Sequence, residues 1–385
     1  MTNTSDLDST ERSLRLIVVT EEFSGTISGG AHVRHRFCEL ADEWGHNIMV
    51  LTARKDDAPR RETLGDIDII RLTPTSPDFV QGLNPLALVY RLLFSLALFV
   101  YLMTWLPWNR VDGLHSASTA SHWAVKTLSV LFNIPVVNFL GLTQSATSTD
   151  TSLFASLLEW ANFRLFMGDV VFCRNSGTKT LVSRYVNSEV EILHGILNRP
   201  KIEGAIERTP NVTAREFVSS DAGYVVSAVG RLVPIKNPTG SIDILADLPS
   251  EYELVVIGDG PERTAVERQA METNGRAHVL GRLPHNQTLD VIATADALVL
   301  SSHAEAYPSV VFEALALGTD VFARPVGILP ELEHERLHVA PFERLAEEIA
   351  NRDLSNRNPD FGYLDSYSIE RYTATVLNTH ARLAD

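Results

Sequence analysis

Glu305 and Glu313 stand in the order E-x7-E within SSHAEAYPSVVFEALALG, Ser301–Gly318. The apolar run Ala297–Leu300 precedes them, and helical spacing begins near Ser309. Glu305 then lies in a strand-to-helix loop and Glu313 one turn into the helix, so both carboxylates can face one ligand. Ser309, after Pro308, fits a helix N-cap. The first amides, those of Ser309, Val310 and Val311, would form an anion site aided by the helix dipole. A second group is GRLVPIKNP, Gly230–Pro238, directly after the run Tyr224–Val229. Arg231 supplies a guanidinium fork and Lys236 a point charge, a pair that suits a pyrophosphate. Their charge would stabilise a departing diphosphate. No Asp-x-Asp follows a strand, so no metal is expected, and the two cations can do a metal's work.

Other residues leave two readings open. VIGDGPE is either a tight structural turn or a ligand-facing one, and its spacing fails the G-x-G-x-x-G dinucleotide fingerprint. His303, beside Glu305, is either a sugar contact or a loop histidine at the site's edge. His115, at the end of a strand, is functional or a packing residue. His32, His35, His46 and His122 read as surface residues. Cys38 and Cys173 lack metal-ligand spacing and read as reduced thiols.

The elements that position these residues are short apolar runs alternating with helical patterns. The runs are Leu14–Thr20, Asn47–Thr52, Ile67–Leu72, Val111–His115, Ile134–Phe139 and Asp169–Cys173, then Tyr224–Val229, Glu253–Ile257, Ala277–Leu280, Ala297–Leu300 and Asp320–Ala323. Such runs read as buried parallel strands with crossover helices. The pattern occurs twice, which predicts an α/β chain of two doubly wound, Rossmann-like domains facing a cleft. The expected organisation is a polar tail 1–13, a first domain 14–210, a second domain 211–365 and a closing helix 366–385.

Leu92–Pro107 carries no charge, and apolar residues cover every helical face from 86 to 108. Three readings follow: a buried core helix, a monotopic or re-entrant membrane-docking helix, and a true span. Tyr101, Trp105 and Trp108 sit near one end, as interface anchors do. A span would cut an α/β domain in two.

The 385 residues are 45% hydrophobic and 21% charged, enough for two ordinary cores. The net charge of −15 disfavours nucleic acid, which needs a basic surface. MTNTSDLDSTERS has no apolar h-region, so no signal peptide is expected.

In order, GRLVPIKNP, VVIGDGPER, HVLGRLPHNQTLDVIATADALVLSS and HAEAYPSVVFEALALG closely resemble glycosyltransferase family 4, over about Gly223 to Glu335. SGGAHVRHRFCELADEWGHNIMVLT resembles that family's glycine loop, helix and second strand more loosely. The resemblance implies a retaining, metal-independent GT-B enzyme that uses a nucleoside-diphosphate sugar and needs no cofactor. It assigns Arg231 and Lys236 to the phosphates, Glu305 to donor-sugar hydroxyls near the reacting carbon, and Glu313 to the ribose. Arg282 and Leu283 would flank the base, and Gly29 and Gly30 would form a turn that lets backbone approach the diphosphate. Two departures stand out: Ala306 replaces the commonest glycine, and VVNFLGLTQS lacks a histidine that many members place there. Thr143, Gln144 or His115 would then supply polar contacts to the acceptor or sugar.

The expected function is transfer of a sugar to an acceptor hydroxyl on a glycan or polyprenyl-linked precursor. It would take place at the cytoplasmic face of the cell membrane through peripheral contact. Alternatives are a catalytically silent nucleotide-binding partner subunit, a sugar-nucleotide epimerase and a phosphorylase.

Overall fold

The computed structural model describes residues 12–23, 29–55, 58–76, 85–140, 153–305, 307–355 and 358–385. The chain divides into two units, residues 1–195 with 369–385, and residues 196–368.

The first unit runs β1 (Arg15–Thr20), α1 (Gly29–Glu43), β2 (Asn47–Lys55), β3 (Arg61–Leu64), β4 (Ile67–Ser76), α2 (Pro85–Trp105), β5 (Gly113–Ser116), α3 (His122–Phe132), β6 (Val136–Leu140), α4 (Leu153–Leu165), β7 (Val170–Cys173), α5 (Ser176–Ser183) and β8 (Glu189–Ile192). The strands form one sheet in the order β3-β4-β2-β1-β5-β6-β7-β8, parallel except for the β3–β4 pair. Strand order reverses between β1 and β5. On one face Phe94, Leu98, Leu102 and Leu106 from α2 and its end, with Val125 and Leu128 of α3, pack on Ile17, Val19 and Leu114.

The second unit runs α6 (Arg199–Glu207), β9 (Tyr224–Val229), α7 (Pro238–Ala246), β10 (Tyr252–Ile257), α8 (Arg263–Met271), β11 (Ala277–Gly281), α9 (His285–Thr294), β12 (Ala297–Leu300), α10 (Ser309–Ala316), β13 (Asp320–Ala323), β14 (Leu337–Val339), α11 (Leu345–Ala350) and α12 (Phe361–Ser366). Its all-parallel sheet has the order β11-β10-β9-β12-β13-β14, the doubly wound Rossmann order, reversing between β9 and β12. Cores lie on both faces. Val226, Leu254 and Val299 meet Ile242, Val266 and Leu345 on one. Leu298 and Val321 meet Leu289, Ile292 and Phe312 on the other.

All eleven expected strands form. Among the described residues, the strands that the apolar runs did not announce are β3, β8 and β14, short strands at the sheet edges. Every residue of β3 is exposed, so no apolar run marks it.

The unit boundary expected at 210/211 falls instead after Gly195. The reason is α6, whose Ile202 and Ala205 are buried with Leu289 and Ile292 of the second unit. The expected closing segment 366–385 is split: α13 (Ile369–Ala384) returns to the first unit, where Tyr372 packs edge-on against Phe37 and Phe139.

Two histidines expected at the surface are buried. His46 accepts a hydrogen bond from the Leu14 amide at 3.1 Å, and His122 pairs with Asn162. The segment 86–108 is α2 followed by a 3-10 turn at Leu106–Trp108. It is not a buried core helix, because only one stripe is covered: Leu92 is 56% and Val100 58% exposed.

Candidate functional site

In an open α/β sheet, ligands bind beyond the carboxyl ends of the strands where the order reverses. In the second unit that point lies between β9 and β12. The two loops leaving it are GRLVPIKN and SSHAE, which carry most of the residues singled out by spacing.

The loops are laced together. The Ser301 hydroxyl donates to the Asn237 carbonyl at 2.7 Å, and the Asn237 side-chain amide returns to the Ser301 carbonyl at 3.3 Å. The His303 amide donates to the Ile235 carbonyl at 2.9 Å. Asn237 adopts φ 46°, a left-handed conformation that asparagine tolerates, and this turns the chain into α7. A small depression open to solvent is lined by Gly230, Arg231, Lys236, Pro238, Ser301 and Ser302, among others.

Behind the first loop sits VIGDGPE. The Gly230 amide donates to the Ile257 carbonyl at 3.0 Å, and the Leu232 amide to the Asp259 carbonyl at 3.0 Å. The Glu262 amide closes back onto the Leu232 carbonyl at 2.9 Å. Gly258 has φ +148°, and a Cβ there would lie 2.9 Å from the carbonyl carbon of Gly230 and nearer still to its oxygen. Of the two readings of this segment, the geometry supports the structural one: it is the buttress that sets the Arg231 loop.

Lys236 and Glu305 form an ion pair across the two loops, and the Ser302 hydroxyl donates to the same Glu305 oxygen at 2.8 Å. The Glu305 side chain is only 7% exposed, so its carboxylate depends on these two donors. Glu313 is held separately, by the ring of His285 at 3.0 Å. His303 pairs with Arg324 at 2.7 Å through its Nδ1. The Arg231 and Arg282 side chains are exposed, and neither guanidinium has a hydrogen-bond or ion-pair partner among the described residues. An exposed guanidinium beside a lysine-carboxylate pair is an arrangement that can take a diphosphate without first breaking an arginine salt bridge.

The anion site at α10 is smaller than expected. Pro308, not Ser309, is the N-cap, and no side chain caps the helix. Ser309 is therefore its first helical residue. The Val311 amide donates to the Pro308 carbonyl at 3.1 Å, so of the three expected amides Ser309 and Val310 have no intrahelical acceptor. Leu283 packs beside the Val225–Ile257 core cluster, which makes it part of the fold as well as a neighbour of Arg282.

In the first unit, Gly29 and Gly30 are the opening residues of α1 rather than a turn. Thr143, Gln144 and Ala306 lie outside the described residues. His115 is fully buried in β5 against Phe37 and His380. Burial, then the nearby Arg34, push its pKa down to about 4, and neither ring nitrogen has a hydrogen-bond partner among the described residues. Packing is the reading this geometry supports.

Several polar residues of the two reversal points were not found by spacing. At the first, Glu21 accepts from the Ser118 hydroxyl at 2.7 Å and from Arg91 at 3.3 Å. At the second, Asn237 stands in an Asn-Pro dipeptide, a turn signal legible in the sequence. His285, 28 positions before its partner Glu313, carries no local signal.

Residues 213–352 match the family described as Glycosyl transferases group 1. The matched residues all lie within the second unit. Bacillus subtilis TuaC, described as a teichuronic acid biosynthesis glycosyltransferase, is 33% identical over 126 residues, 31% of this chain and 31% of its own. The GPI3 subunit of the yeast Saccharomyces cerevisiae phosphatidylinositol N-acetylglucosaminyltransferase is 25% identical over 312 residues, 78% of this chain and 65% of its own. The chain therefore spans about a third of one relative and just under two thirds of the other. Among solved structures, sucrose-phosphate synthase from Thermosynechococcus elongatus superposes with a TM-score of 0.71 over 96% of both chains, at 17% identity. Anabaena HepE, in complex with UDP and glucose, gives 0.68 over 95% of this chain and 99% of its own, at 15% identity. The fold is that of the GT-B glycosyltransferases, two Rossmann-like domains.

Proposed function

We propose that the chain transfers a sugar, with retention at the anomeric carbon, from a nucleoside-diphosphate sugar to an acceptor hydroxyl. The observation that carries the reading is the Lys236–Glu305 pair beside the exposed Arg231 at the strand-order reversal. Arg231 and Lys236 receive the diphosphate, and the Ser309 and Val310 amides add dipole support. Glu305, released in part from Lys236 by the phosphates, accepts from the sugar hydroxyls and steadies positive charge at C1. Glu313, oriented by His285, accepts from the ribose, and Arg282 with Leu283 borders the base.

In the reaction, the bond from C1 to the β-phosphate oxygen breaks and a bond from C1 to the acceptor oxygen forms on the same face. The acceptor proton passes to the departing phosphate oxygen. The two cations lower the cost of charge on that oxygen, so no resident metal and no cofactor are called for.

UDP is the first donor nucleotide to try, because HepE holds it on the same fold. The acceptor is a lipid-linked or cell-surface glycan precursor, such as a polyprenyl-linked sugar. Relatives named for teichuronic acid synthesis and for phosphatidylinositol N-acetylglucosaminyl transfer support that class. The expected place of action is the cytoplasmic face of the membrane.

The test is thermal stabilisation by a panel of nucleoside diphosphates and their sugars, followed by product analysis with lipid-extracted acceptors. One diphosphate should raise the melting temperature, and the new glycosidic bond should keep the donor's anomeric configuration by NMR. Stabilisation without transfer to any acceptor would move the silent partner subunit to the front. Donor consumed without an acceptor would indicate an epimerase.

A further inference from the structure

Helices α2, α3 and α4 lie side by side on one face of the first sheet. Phe99 of α2 stacks on Trp123 of α3 at 5.7 Å, and His122 of α3 pairs with Asn162 of α4. Each helix keeps one stripe for the sheet and shows large apolar side chains outward. On α2 these are Leu92, Leu93, Leu96 and Val100, and Trp108 just beyond its end is 86% exposed. Val130 and Leu131 at the end of α3 and Leu157, Trp160 and Leu165 on α4 continue the surface. Exposed apolar side chains gathered on three neighbouring helices mark a surface that something else covers.

The charges around it point to what covers it. The chain carries −15 overall, yet Glu159 is the single acid in the three helices. The basic residues there are Arg91, Lys126 and Arg164, with Arg110 just past α2. The side chains of Arg110 and Arg164 are exposed and form no ion pair among the described residues. Arg91 and Lys126 are paired with Glu21 and Asp169, so Arg110 and Arg164 are the cations left to meet a ligand. Acidic elsewhere and carrying two unpaired arginines here, the molecule would approach a negatively charged lipid surface with this face first.

We infer that this three-helix face is a monotopic docking surface for an anionic lipid bilayer, with α2 lying in the interface plane. A spanning α2 is excluded by its own packing: Phe94, Leu98 and Leu102 are fully buried on β1, β2 and β5 residues and would have to leave the core. Trp108 and Trp160 fit the headgroup level, where amphipathic rings settle. Apolar area on three helices, with cations beside it, is what sets interfacial affinity. The inference deepens the membrane-borne acceptor in the proposed function, but a soluble acceptor would leave it standing.

The test is flotation of the full chain with vesicles of phosphatidylcholine alone and with phosphatidylglycerol added. Wild type should float with the anionic vesicles and only weakly with the neutral ones. L92E/L96E/V100E changes side chains that already face water, so it should melt as wild type does, yet bind the anionic vesicles about tenfold less. R110E/R164E should lose the preference for anionic vesicles and keep the weak neutral binding. Retention of nucleoside-diphosphate stabilisation in both variants separates this outcome from failure of the donor site. The inference is overturned if wild type floats with neither vesicle, or if the folded triple variant floats as well as wild type. A wild-type dimer that the triple variant turns into a monomer, with no flotation by either, would assign the face to self-association instead. Resistance of vesicle-bound protein to alkaline carbonate would show a span and overturn it equally.

Discussion

Replacing Gly258 by alanine tests whether the VIGDGPE segment acts by holding the Arg231 loop. The new Cβ would stand 2.9 Å from the Gly230 carbonyl carbon. Carbon atoms rest about 3.5–4.0 Å apart, so the loop must retreat by roughly an ångström. The φ of +148° adds strain of about 1–3 kcal/mol, because only glycine adopts that region easily. The retreat also weakens the Gly230–Ile257 and Leu232–Asp259 bonds, each worth about 1 kcal/mol. The sum is about 3 kcal/mol, which for a unit of this size lowers the melting temperature by roughly 6–12 °C. An ångström at Arg231 should weaken nucleoside-diphosphate binding by up to about 100-fold, by analogy with misplaced catalytic groups. Gly204→Ala is the control: nothing lies within 4 Å of a Cβ there, and its φ is ordinary. In the helix α6 that change should stabilise by about 0.5–1 kcal/mol. The measurements are calorimetric melting and the stabilisation given by the diphosphate. If Gly258→Ala melts within a degree or two of wild type and keeps the full ligand shift, the buttress argument is wrong.

Arg231→Ala should melt like wild type, since its guanidinium has no partner to lose among the described residues, and should abolish the roughly 2.7 kcal/mol gained from a diphosphate at 100 times its dissociation constant. Undiminished ligand stabilisation would remove Arg231 from the site. Lys236→Ala differs, because it leaves the buried Glu305 without its cation; the free chain should lose about 1–3 kcal/mol, read by denaturant unfolding. Lys236→Ala/Glu305→Gln should recover most of that stability and none of the transfer activity. Acid should loosen the first unit. His115 and His122 have pKa values pushed down to about 4 by burial, below the unfolded 6.5, so the unfolded chain binds more protons between those values. Their contribution is complete above pH ~6.5 and is lost as pH falls toward 4, by about 1.4 kcal/mol per unit for each histidine. Urea unfolding at several pH values checks this, and His115→Phe should flatten the slope; an unchanged slope would refute the assignment.

Much of the fold was legible because it rests on short-range rules. Short, near-continuous apolar runs bounded by turn signals read as strands buried on both faces, and eleven were found by that rule. Three edge strands, β3, β8 and β14, escaped it; β3 buries nothing and so leaves no apolar run. The boundary at 195 was not legible either, because a polar, proline-containing stretch looks like a linker whether or not its helix docks. Only the burial of Ile202 and Ala205 beside Leu289 assigns α6 to the second unit.

The sequence by itself determined the residue types and the order of the site: Arg231 and Lys236 follow the apolar run Tyr224–Val229, and Glu305 and Glu313 follow the run Ala297–Leu300. Tertiary structure decided which groups meet. It put Lys236 on Glu305 and His285 on Glu313, and buried His115 away from solvent. It also showed that α2 covers the sheet with one stripe and leaves the rest bare. Such pairings join residues tens of positions apart, and their energies depend on burial and direction, which periodicity along a chain does not encode.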